Sequence, residues 1–166
     1  QQLPKSGVLK TLNAHQNATV IAIAEMIIPA TETPGAKAAR VNEFIDVILT
    51  NWYDDKEKQR FLAGLADVDR RSRELFGRSF VRCRAKQQAS LLSVLDEQLA
   101  EARQGIVPGS GRRGKRRPPG ENFFFMMKQL TLIGYYTSEI GAQETHWEAI
   151  PSARAACAPL PEEAAN

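Results

Sequence analysis

The sequence predicts an all-α fold, a single compact domain of about five helices with an extended C-terminal tail. Three observations predict it. Apolar residues recur at intervals of three and four along most of the chain, and no segment keeps the alternation of a strand. Polar caps and Pro or Gly residues interrupt the apolar stretches at helical lengths. The chain has 166 residues, the size of one ordinary domain with one core.

The first helix is expected over residues 14–28, behind Asn13 as N-cap, with Val20, Ile23, Ala24, Ile27 and Ile28 at helical spacing. Pro29 stops it. Residues 30–39 read as a connector with a Pro34-Gly35 turn. A second helix is expected over residues 41–53, carrying Phe44, Ile45, Ile48, Leu49 and Trp52 on one face. Asp54-Asp55 can cap a third, over residues 56–77, whose stripe is Phe61, Leu65, Val68, Ser72 and Leu75/Phe76. Its other face is densely charged, as a solvated face should be. The fourth helix, residues 84–103, repeats Leu92, Leu95, Leu99 and Ala102. Residues 106–120 are rich in Pro and Gly and read as a loop. The fifth helix is expected over residues 121–143. The helical domain then spans residues 1–150, and residues 151–166 form a Pro/Ala-rich tail.

The fifth helix is apolar around nearly its whole circumference, from Phe123 through Met126, Leu130, Tyr135 and Tyr136 to Ile140. Such a helix is either surrounded by the others or turns part of its surface to another protein. Gly134, Ser138 and Gly141 form a small-residue stripe that lets another backbone approach closely.

Composition narrows the function classes. With 43% hydrophobic and 25% charged residues, the chain is neither disordered nor membrane-embedded in character. Its longest apolar runs, VIAIA and FFFMM, fall far short of the roughly 20 residues of a membrane span. The net charge of +3 comes from Arg112-Arg113-Gly114-Lys115-Arg116-Arg117, and the remainder is mildly acidic. That loop lacks interleaved aromatic residues for stacking on bases, so an acidic protein partner suits it better than nucleic acid. Gly109-Ser110-Gly111-Arg112-Arg113-Gly114 matches G-x-G-x-x-G, but Pro108 precedes it and Pro118-Pro119 follow. The strand and helix of a dinucleotide site are missing.

Two His, His15 and His146, and two Cys, Cys83 and Cys157, rule out a His-rich metal centre, and no C-x-x-C pair offers a zinc site. Neither His has a Ser, Cys or Asp at a spacing that suggests a catalytic triad. No catalytic, cofactor-binding or metal-binding residue is therefore assigned in this chain. Cys83 reads as a small buried hydrophobe. Cys157 lies in the tail, which offers no core for a thiol. A Cys83–Cys157 bridge, a bridge from Cys157 to a partner subunit, and free thiols all remain open. The chain opens on Gln1 rather than Met, which leads us to expect that an N-terminal segment has been removed.

Two segments carry a resemblance. One is Glu25-Met26-Ile27-Ile28-Pro29-Ala30-Thr31-Glu32-Thr33-Pro34-Gly35-Ala36, followed by Val41 and Phe44-Ile45-Asp46. The other runs from Phe123-Phe124-Phe125-Met126-Met127-Lys128 to Gly134-Tyr135-Tyr136-Thr137-Ser138-Glu139-Ile140-Gly141. Together they resemble the gluconate 2-dehydrogenase subunit 3 family, which includes the small (gamma) subunits of bacterial FAD-dependent sugar dehydrogenases. The resemblance implies a non-catalytic accessory subunit paired with a large flavoprotein of the glucose–methanol–choline oxidoreductase type. FAD belongs to that partner, and a multihaem cytochrome c subunit often takes the electrons. It further implies a chaperone-like role in twin-arginine export and a periplasmic location. The start of this chain departs from the pattern, since no twin-arginine segment is present.

Phe123, Met126, Tyr135, Tyr136, Trp147 and Cys157 are the expected contacts with the partner. The competing expectations are a stand-alone helical binding protein docking an acidic partner through Arg112–Arg117, and a small enzyme acting through His15 or His146.

Overall fold

The computed structural model describes residues 9–104 and 122–144. Among these residues there are six α-helices and no strand, so the all-α expectation holds. The helices are α1 (Ala14–Ile27), α2 (Val41–Asn51), α3 (Asp55–Phe76), α4 (Ala85–Gln104), α5 (Phe123–Tyr136) and α6 (Glu139–Glu144). A single 3-10 turn, Phe80–Arg82, joins α3 to α4.

The starts of α1, α3 and α5 have a side-chain cause, whereas α2 follows Arg40 without a side-chain cap. The Asn13 side chain accepts the Gln16 amide at 2.9 Å, and the Gln16 side chain accepts the Asn13 amide at 3.0 Å. Asp54 and Glu57 repeat that reciprocal arrangement at 2.7 and 3.0 Å. Both pairs satisfy amides that the first helical turn leaves without partners. Asn122 Oδ1 accepts the amides of Phe124 and Phe125 and so begins α5. Gly77 closes α3 in the left-handed region, at φ 69°.

The structure corrects three expectations. The single helix expected over residues 121–143 is broken into α5 and α6. Ser138 Oγ donates to the Tyr135 carbonyl at 2.6 Å and accepts the Gly141 amide at 3.1 Å. One hydroxyl thus ends the first helix and opens the second. Trp52, expected on the buried stripe of the second helix, is 76% exposed. The buried residues Val41, Ile45 and Leu49 recur every four residues, and the next in phase is Tyr53, which packs against the core. Leu75 is exposed as well, because the buried series Phe61, Leu65, Val68 and Ser72 ends before it.

The central element is α5, which touches each of the other five helices. Its Phe124, Met126, Met127, Leu130 and Tyr135 join Val20, Ile23, Ile45, Phe61 and Leu95 in one core. Contact with α3 depends on Gly64. A Cβ added there would lie 2.1 Å from Phe123 Cγ and 2.4 Å from Phe123 Cβ. The Phe123 ring meets Phe61 edge-on, at 5.3 Å between centroids. Gly64→Ala is expected to cost about 2 kcal/mol by overpacking, offset by at most about 1 kcal/mol of helix propensity. Thermal unfolding checks this, and a raised Tm would mean that α3 and α5 move apart enough to admit the methyl.

Candidate functional site

The two segments that carry the resemblance meet in space. Glu25, in the last turn of α1, accepts the Ala30 amide through Oε1 at 3.0 Å and the Lys37 amide through Oε2 at 2.8 Å. One carboxylate therefore folds the connector between α1 and α2 back on itself. Gly35 is needed at the crossing, since a Cβ there would lie 2.5 Å from Ala30 N and 2.7 Å from Glu25 Oε1. The folded connector is fixed to α5 by Tyr135, whose hydroxyl lies 2.8 Å from the Pro34 carbonyl and 2.6 Å from Glu144 Oε2. Burial first, and the Glu144 carboxylate second, push the Tyr135 phenol up to about 12. It therefore stays protonated, able to donate, through the neutral range.

Asp46 does the same work for the other end. It is buried on α2 and accepts three successive amides, Lys10 at 2.8 Å, Thr11 at 3.0 Å and Leu12 at 2.8 Å. Thr50 bridges back, its hydroxyl 2.7 Å from that of Thr11. Glu25, Asp46 and Tyr135 are thus scaffold groups that hold loops to helices.

The expected partner contacts fall into three sets. Met126 and Tyr135 are buried in the chain's own core. Phe123 is half-buried in the notch at Gly64, and Tyr136 is 49% exposed. Trp147, Cys157, His146 and the loop Arg112–Arg117 lie outside the described residues. Two residues of the apolar fifth helix that were not among the expected partner contacts, Leu132 and Ile133, are 43% and 44% exposed. Gln129, Leu132, Ile133 and Tyr136 share the outward face of α5, at the spacing i, i+3, i+4 and i+7. The inner face of that helix is surrounded by the others, and its outer face is exposed and largely apolar. The small-residue stripe is used within the chain. Gly134 lies against the Phe44 ring, and Gly141 lies against the backbone of Tyr135 and Tyr136.

The residues tested for chemistry are tied into the fold. The His15 ring hydrogen-bonds through Nε2 to Asp69, across 54 positions of sequence. Asp69 is buried on α3 and also accepts the Phe80 amide at 2.9 Å, so it joins α1, α3 and the 3-10 turn. No hydroxyl or thiol among the described residues hydrogen-bonds to the ring of His15. Cys83 is a buried thiol, its Sγ 3.5 Å from the Ser79 carbonyl. With Cys157 outside the described residues, neither expected bridge is placed. Among the described residues no group of three His, Cys, Asp or Glu side chains could hold a metal ion, and no helix is long and apolar enough to cross a membrane.

The family model described as gluconate 2-dehydrogenase subunit 3 matches residues 14–151. No curated protein and no solved structure matches the chain. The family match spans both clamped segments and the whole helical body.

Proposed function

The chain belongs to the gluconate 2-dehydrogenase subunit 3 family, and from that premise we propose that it is the non-catalytic small (gamma) subunit of a periplasmic FAD-dependent sugar or polyol dehydrogenase. It binds and stabilises the large flavoprotein subunit and assists its maturation and twin-arginine export. FAD resides in that partner and haem c in a third, cytochrome subunit. The chain itself has no C-x-x-C-H segment for haem attachment.

The observation that supports this reading most is the outward face of α5. Leu132, Ile133 and Tyr136 present apolar surface on the helix that touches all the others. A contiguous apolar face on a rigid element is what a permanent partner covers. We place Phe123 at the edge of the contact, with Trp147 and Cys157 extending it along the partner.

The test is to tag the chain, purify it gently from its native host, and run a non-reducing gel beside a visible spectrum. A stoichiometric partner of flavoprotein size with flavin absorbance is expected. A joint band that reductant splits, and that Cys157→Ser abolishes, would assign Cys157 to an intersubunit disulfide. A colourless, partner-free monomer would overturn the reading in favour of a stand-alone binding protein acting through Arg112–Arg117.

A further inference from the structure

A basic surface lies among the described residues at the corner where α3 turns into α4. From Arg70 to Lys86 the chain carries seven cationic residues and one acidic residue, Glu74. Most nearby carboxylates are already engaged. Asp67 pairs with Arg70 and Arg71, and Glu74 pairs with Arg70. Asp69 is buried and turned to His15 and the Phe80 amide, with Arg73 Nη2 3.4 Å away. Arg78, Arg82 and Arg84 have no carboxylate partner among the described residues.

The surface is concave. His15, Arg73, Arg78 and Arg82 border a depression of about 590 Å³, with Gly77 in its wall. It is also held in shape. The left-handed Gly77 ends α3, and Arg73 before it and Arg78 and Arg82 after it border the same depression. Asp69 ties the three bordering elements together beneath them. Like charges gathered on a fixed frame repel one another, and a partner of opposite charge removes that cost on binding. The cations bordering the depression besides His15 are arginines, whose planar forks suit carboxylates in pairs.

We infer that this corner docks an acidic, carboxylate-bearing face of the dehydrogenase partner, and so guides the two subunits together before the apolar face of α5 closes. The inference rests on the subunit reading above and adds a second, electrostatic contact surface to it. It differs from the loop Arg112–Arg117, which lies elsewhere in the chain.

The test measures association of the full chain with the purified flavoprotein partner, from low to high salt. The wild type is compared with Arg78→Gln/Arg82→Gln and with Arg112→Gln/Arg113→Gln. Because Arg78 and Arg82 are exposed, the circular-dichroism melt of the first variant should match wild type. Its association rate is expected to fall about tenfold at low salt, with a flatter salt dependence. The loop variant should keep the greater part of the wild-type rate. A wild-type complex that forms with the same rate and salt dependence in the Arg78/Arg82 variant overturns this inference alone. An equal or greater loss from the loop variant overturns the assignment to the corner. Absence of any flavoprotein bound to the wild-type chain overturns the subunit reading, and this inference with it. If the corner variant lost only sedimentation with phosphatidylserine-containing vesicles, with partner association intact, the surface would belong to a membrane instead.

Discussion

Asp46→Ala is expected to destabilise the domain by about 3 kcal/mol and to lower its Tm by about 10 °C. The carboxylate is buried and its oxygens take the amides of Lys10, Thr11 and Leu12. Hydrogen bonds to a charged group contribute about 1.5–3 kcal/mol each, and three that share one acceptor do not add fully. Their loss frees the segment ahead of α1 and uncovers Leu12, which is 4% exposed in the core. Asp46→Asn keeps one acceptor oxygen and should lose about half as much. Thermal unfolding of the three proteins gives the ranking. Amide exchange at Thr11 and Leu12 should accelerate in the alanine variant well before global unfolding. A Tm within about 2 °C of wild type would mean that the segment is held by something other than this carboxylate.

Truncating the outer face of α5, as Ile133→Ser with Tyr136→Ser, is expected to weaken partner binding more than about a hundredfold while leaving the fold intact. The two side chains are 44% and 49% exposed, so the free domain loses little by their removal. In a complex they would lie on the central helix, where apolar and aromatic anchors each contribute about 2 kcal/mol or more to binding. Two measurements on the same preparation separate the possibilities. The Tm should move by less than about 2 °C, and flavoprotein recovered with the tagged chain should fall below about a tenth of wild type. Full recovery with an unchanged Tm would remove α5 from the interface. A large fall in Tm would instead make this face part of the core.

Much of the fold was legible because its causes are local. Asn13 with Gln16, and Asp54 with Glu57, declare helix starts within three residues. The stripes of α2 and α3 follow from period alone until the register runs out at Trp52 and Leu75. What escaped was fixed by distant partners. Nothing near Asp46 in sequence says that its carboxylate receives amides from residues 10–12, or that Asp69 receives His15. The break at Thr137-Ser138 was hidden by apolar residues that continue on both sides, and is decided by one hydroxyl. The outer face of α5 could not be separated from the inner by hydropathy, because both are apolar. The arginines of the α3–α4 corner are spread over three elements and mixed with acids, so they read as an ordinary solvated face.

The position of α5 in the chain has a consequence for synthesis. The helix that touches all the others follows α1 to α4 in the chain, beginning only at Phe123. Phe61 waits for Phe123, and Pro34 waits for Tyr135 across 101 residues. Until α5 emerges, α1 to α4 can touch one another but lack the helix around which their apolar stripes close. The domain cannot be finished one helix at a time. It is expected to lock only once α5 has left the exit tunnel, as one late event rather than by growth from an N-terminal nucleus.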